Sequence, residues 1–169
     1  TFEAINLAKK NDITIIFDVD HRPYTWKSLE EASENYIKLA FSSDIIVGND
    51  DEFGIMAGAY EDGISFCKDL NDKSSSVVIY KMGERGSITF SNQKEIKTGV
   101  FNVNVLKPTG AGDAFLGVFI SSLLKEKTLK DSIVFGSAAA AIVVTKVGCA
   151  PAMPNLNEIL EFMKYNKIS

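Results

Sequence analysis

The sequence predicts an α/β protein with a mostly parallel sheet flanked by helices. Two observations carry this. Short β-branched apolar runs alternate with segments of helical period between Ile13 and Tyr80, the pattern of strands joined by right-handed crossover helices. The polar motifs also fall directly after those runs, at the carboxyl ends of strands, where open α/β sheets bind their ligands.

The elements follow in order. Phe2, Ile5 and Ala8 already keep a helical period, and Thr1 is not an initiator Met, so the sequence is expected to begin inside a longer chain. Ile13 to Val19 is nearly continuous in apolar character, which suits a strand buried on both faces. Ser28 to Ala40 reads as a helix, opened by Ser-Leu-Glu-Glu as an approximate capping arrangement. Asp44 to Val47 is a second strand, and Asp50 to Leu70 holds one or two helices broken near Asp62-Gly63. Ser76 to Tyr80 is a third strand, and Gly86–Phe90 with Glu95–Val100 reads as a hairpin. After the apolar stretch Val103–Leu106, Pro108 ends any strand. A helix then follows Gly112 to about Lys125, and a second runs from Leu129 to Lys146. Ala138 to Ala141 in that second helix favour tight helix-on-sheet packing. Gly148, Pro151 and Pro154 mark a loop before a last amphipathic helix, Leu156 to Tyr165.

Bulk properties narrow the function. The 169 residues are enough for one domain with a real core, and 46% apolar with 24% charged residues is ordinary globular composition. A net charge of −4 argues against nucleic acid as the main partner. No apolar run reaches the length of about 18 residues that a membrane span needs, no signal peptide opens the chain, and a cytoplasmic location is the expectation. The two cysteines, Cys67 and Cys149, have no framework spacing and are expected to be reduced and buried. His21 is the only histidine, which weighs against a nucleophilic triad or a His-rich zinc site.

The richest segment is Thr109–Phe115, Thr-Gly-Ala-Gly-Asp-Ala-Phe. Small residues let the backbone turn tightly and expose consecutive N–H groups where a helix begins, an arrangement suited to an anion. Asp113 in that first turn is placed to take a proton from a hydroxyl attacking a phosphoryl group. The alternative is a turn whose aspartate only offsets the helix dipole. A Walker-type loop is absent, and Phe115 stands where a dinucleotide fingerprint needs a small residue.

Three further motifs stand at strand ends. In Asp18-Val-Asp-His-Arg22-Pro, Arg22 either neutralises its acidic neighbours or offers its fork to a substrate carboxylate or phosphate. In Asn49-Asp-Asp-Glu52 the residues either cap a helix or let Glu52 hold water-ligated Mg²⁺. In Lys81-Met-Gly-Glu-Arg-Gly86 the glycines either make a turn or let the backbone lie close to a nucleotide.

Together these residues resemble the ribokinase (phosphofructokinase-B type) family of sugar kinases from Ile13 to about Pro154. The resemblance implies a three-layer ribokinase-like fold, of which this chain is the C-terminal nucleotide-binding part, a single domain over residues 1–169 that lacks the N-terminal half and lid. It implies Asp113 as catalytic base, with Gly110, Ala111 and Gly112 in an anion hole. ATP would be lined by Lys81, Gly83 and Gly86, and by Gly136 and Ser137 near the adenosine. Asn49 and Glu52 would serve Mg²⁺. Within the family, residues 18–26 and 106–109 look most like members that phosphorylate the primary hydroxyl of a sugar acid, 5-dehydro-2-deoxygluconate of inositol breakdown. Members acting on 2-keto-3-deoxygluconate or fructose are the neighbouring alternatives, and Arg22 would recognise the acid group. Lys107-Pro108 replaces an Asp-Thr that in most relatives helps hold a monovalent cation, and the Lys107 ammonium is expected to substitute for that ion. Without the missing half, the chain alone is expected to be an inactive nucleotide-binding fragment. An exposed apolar face and self-association, as a homo-oligomer, are expected with it.

Overall fold

Parallel strands joined by helices build the first part of the chain. The computed structural model describes residues 1–169, which divide into two units, Thr1–Lys97 and Thr98–Ser169. The first unit runs α1 (Phe2–Lys10), β1 (Ile16–Asp18), α2 (Leu29–Ala40), β2 (Ile45–Asn49), α3 (Asp50–Ala57), α4 (Gly63–Ser74), β3 (Val77–Lys81) and β4 (Ser87–Ser91). A last strand, β5 (Lys94–Thr98), completes a five-stranded sheet in the order β1-β2-β3-β4-β5. β1, β2 and β3 are parallel, with Ile16 beside Ile45 and Ile45 beside Val77. β4 returns antiparallel, with Phe90 beside Val78.

One face of this sheet buries Ile46, Val78, Tyr80 and Phe90 against Ala32 and Tyr36 of α2, Phe53 of α3 and Leu70 of α4. Each large apolar side chain withdrawn from water contributes about 1.5–3 kcal/mol, which is why these helices, marginal alone, hold to the sheet. Their starts are set locally. The Ser28 hydroxyl caps α2 by accepting the Glu31 N–H. Asn49 and Glu52 form a complete capping box at α3.

β1 is shorter than the apolar run Ile13–Val19, because its neighbour pairs only with Ile16–Asp18. The Ile15 carbonyl instead accepts the N–H groups of both Asp44 and Ile45 at 2.9 and 3.2 Å. The helical stretch after Asp50 breaks earlier than Asp62-Gly63. Gly58 takes a left-handed φ of 84° that ends α3, and Gly63 opens α4.

The second unit holds α5 (Ala111–Leu123), α6 (Leu129–Val144) and α7 (Leu156–Tyr165). Val103–Leu106 forms no strand. Leu106 and Lys107 instead donate both their N–H groups to the Val144 carbonyl, at 2.7 and 3.1 Å, and so help to satisfy the end of α6. That helix stops at Val144, two residues before the expected Lys146. Within this unit Ala138, Ala139 and Ala141 pack with Phe101, Ala114 and Ile159, so their small size serves contact between helices. α5 and α6 approach closely at Gly136, where a Cβ would lie 2.8 Å from the Phe115 carbonyl oxygen. No helix of either unit is long and apolar enough to cross a membrane.

Candidate active site

Gly110 precedes α5 with φ 88° and ψ −3°, a left-handed conformation that favours glycine. A Cβ there would also stand 2.7 Å from the Cys149 Sγ, so a side chain would force that thiol to move. This turn leaves the start of the helix under-satisfied. The Ala111 N–H reaches the Pro108 carbonyl at a long 3.3 Å, and the Ala114 N–H donates to the Gly110 carbonyl at 3.0 Å. The N–H groups of Gly112 and Asp113 have no hydrogen-bond partner. Two free amides at the positive end of a 13-residue helix make an anion cradle.

The Asp113 side chain is exposed and enters no ion pair. The Cys149 thiol donates to its Oδ2 at 3.9 Å. Cys149 is half-buried rather than buried, and its place beside Asp113 had no local signal, since the two stand 36 residues apart. Gly136 and Ser137 lie on α6. Gly136 is buried and its lack of a side chain is explained by the Phe115 contact, while Ser137 is half-buried.

The first unit gathers the other candidates at the carboxyl ends of β1, β2 and β3. Asn49 and Lys81 are direct partners across the parallel pair. The Asn49 Oδ1 accepts the Glu52 N–H at 2.9 Å, and the Asn49 N–H donates to the Glu52 Oε2 at 2.7 Å. The remaining carboxylate oxygen, Oε1, accepts the backbone N–H of His21 at 2.9 Å. Glu52 is 7% exposed, and burial of a carboxylate demands such partners. Each oxygen keeps a lone pair, and no group of three or more His, Cys, Asp or Glu converges as a metal cage. Asn49 and Glu52 could hold a Mg²⁺ only through waters that the ion retains.

Lys81 is half-buried at the end of β3. The turn after it carries Gly83 at φ 58° and Gly86 at φ 84°, ψ −140°. Space around Gly83 is open, with no atom within 4 Å of a notional Cβ. Arg85 on this turn donates to the Asp50 Oδ2 at 2.8 Å, and the Tyr60 hydroxyl donates to the same oxygen at 2.6 Å. That bond holds the Tyr60 hydroxyl pKa above its ordinary value. Arg22 pairs with Asp20 at 2.7 Å, and both side chains are more than half exposed at 54% and 58%.

Residues 1–156 match the family described as pfkB family carbohydrate kinase. The chain belongs to this family. It is 36% identical over 164 residues to the 5-dehydro-2-deoxygluconokinase of Bacillus velezensis, covering 96% of this chain and 50% of that protein. To the 5-dehydro-2-deoxygluconokinase of Shouchella clausii it is 40% identical over 159 residues, covering 93% and 49%. Among solved structures, the aminoimidazole riboside kinase of Salmonella enterica, complexed with aminoimidazole riboside and an ATP analog, superposes with a TM-score of 0.84 at 25% identity, covering 95% of this chain and 56% of that one. The chain thus spans about half the length of the curated relatives it matches, and its fold is the ribokinase-like α/β fold in part.

Proposed function

We propose that residues 1–169 are the nucleotide-binding portion of a kinase that transfers phosphate from ATP to the primary hydroxyl of a sugar acid, 5-dehydro-2-deoxygluconate. The observation that carries this reading is the Gly110–Asp113 turn, with two unpartnered amides beside an exposed carboxylate. Asp113 accepts the proton of the attacking hydroxyl, while the amides of Gly112 and Asp113 hold charge on the transferring group. Within the first unit the open turn at Gly83 and Gly86, with Lys81, is the candidate nucleotide contact, and within the second unit Ser137 is. Arg22 meets the acid group of the sugar. Asn49 and Glu52 would hold Mg²⁺ through its waters, and the ion would neutralise phosphate charge. The names of the curated relatives support 5-dehydro-2-deoxygluconate over 2-keto-3-deoxygluconate or fructose.

In the full-length protein, Asp113→Asn is expected to keep ATP affinity, read by calorimetry, and to lower kcat by about 10²–10⁴-fold. Normal turnover in that variant refutes the assignment. A panel of sugar acids and neutral sugars tests the substrate. Lys107 supplies the charge that a monovalent cation gives elsewhere, so turnover should be indifferent to added K⁺. Strong activation by K⁺ removes that role.

A second reading rests on the share of its relatives that the chain covers. Alone, residues 1–169 bind ATP without catalysis, which ATP titration followed by an assay with the sugar acid distinguishes.

A further inference from the structure

His21 and Tyr36 belong to none of the roles above, yet they are fastened more firmly than the arginine they adjoin. Tyr36, on α2, is 3% exposed. Its hydroxyl lies 2.9 Å from the His21 Nδ1, and the two rings meet edge to face at 5.9 Å. Trp26 docks on the same tyrosine edge to face at 5.3 Å, and Phe17 of β1 packs there at 6.1 Å. The loop between β1 and α2 therefore leans on Tyr36 at His21, immediately before Arg22, and at Trp26, four residues after it.

Backbone bonds complete the grip. The His21 N–H donates to the buried Glu52 carboxylate at 2.9 Å. On the other side the Arg22 carbonyl accepts the Thr25 hydroxyl and the Thr25 N–H at 2.7 and 3.0 Å. Asp20, just before, turns the chain with a left-handed φ of 41°, a conformation that aspartate tolerates better than most residues. The Arg22 side chain itself is held only by Asp20, through Nη2. The guanidinium has five N–H donors, so most remain for a ligand.

We propose that Tyr36 is a positioning residue: through His21 it holds the Asp20–Arg22 loop in the conformation from which Arg22 meets the acid group of the sugar. This rests on the reading of Arg22 as the acid-recognising residue. A bidentate guanidinium–carboxylate contact is demanding in orientation, so a small change in loop pose is felt as lost substrate affinity. The reacting groups and the nucleotide are not involved.

The test uses the full-length enzyme as wild type, Tyr36→Phe, Arg22→Ala and the double variant. KM for the sugar acid, KM for ATP, kcat and the thermal midpoint are measured for each. Tyr36→Phe keeps the ring and removes only the hydroxyl that reaches His21. Arg22→Ala should raise the sugar-acid KM by about 10–100-fold, the range for a lost charge-assisted contact. Tyr36→Phe should raise it about three- to tenfold, with the ATP KM and kcat unchanged, and should add nothing in the Arg22→Ala background. A Tyr36→Phe effect of equal size in both backgrounds overturns the proposal, as does an unchanged KM in Tyr36→Phe when Arg22→Ala raises it. An Arg22→Ala enzyme with wild-type sugar-acid KM overturns the reading of Arg22 itself, a result distinct from both. If Tyr36→Phe lowers the thermal midpoint and kcat together, its role is structural and the proposal fails. His21→Asn provides an independent check, expected to shift the same KM in the same direction.

Discussion

At the scale of single residues, the turn before α5 shows how tightly backbone form and side-chain chemistry are tied. Gly110 is favoured by its φ of 88°, and a Cβ there would also displace the Cys149 sulfur, 2.7 Å away. Gly110→Ala is therefore expected to destabilise the protein by about 1–3 kcal/mol, from left-handed strain and overpacking together. Denaturant unfolding of wild type and variant checks this. The glycines and Asp113 were visible in the sequence because a turn into a helix is a local pattern. Neighbours of Glu52 were visible only by half. Its bond to Asn49 belongs to a capping box read within four residues, whereas its bond to His21 spans 31 residues and leaves no mark in local sequence. For the same reason the role of Tyr36 as the hub for His21 and Trp26 escaped any reading of periodicity, which marks it only as one apolar position on a helix.

Among elements, the helices were read well where a cap announces them. Ser28, Asn49, Thr128 and Asn155 each accept an N–H from the first turn of the helix that follows. Strand length was less legible, because it depends on how far a partner runs: Ile13 and Ile15 are as apolar as Ile16 and Phe17 but lie before Ile16, where pairing with β2 begins. Val103–Leu106 illustrates the same limit: it pairs in no sheet, and its last N–H, from Leu106, goes to the end of α6. The cap of α7 carries a pH signature. The Asn155 N–H donates to Glu158 at 2.8 Å, and Lys146 lies 3.2 Å from its other oxygen. The backbone bond first, and the lysine after it, hold the Glu158 carboxyl pKa below its ordinary 4.5. A lowered pKa means that this support is present above pH 4.5 and is lost as pH falls through the folded value. The unfolding midpoint of wild type should thus exceed that of Glu158→Gln at neutral pH, and the gap should close as pH falls through the folded value. A gap that persists in strong acid contradicts the assignment.

On the scale of the whole molecule, the alternation of strands and helices and the strand-end location of polar motifs were enough to reach the sheet and its parallel core. The division into two units was not, since it reflects contact density and no break in composition. The two cysteines, one in each unit, offer a probe of that architecture. Cys67 is fully buried on α4, and burial pushes its thiol pKa far upward, so it reacts only when the first unit opens. Cys149 is half-buried. Treatment of the folded protein with a thiol reagent, followed by peptide mapping, is expected to label Cys149 rapidly and Cys67 at the rate of unfolding. Equal labelling of the two would mean that the first unit breathes readily.

The Glu52 carboxylate holds the amides of Asn49 and His21 at the same time. A motif that looks in sequence like the start of one helix is in space the knot between two strand ends. The loop bearing Arg22 and the opening of α3 therefore share a fate: whatever loosens this acid frees both, and whatever anchors it stiffens both.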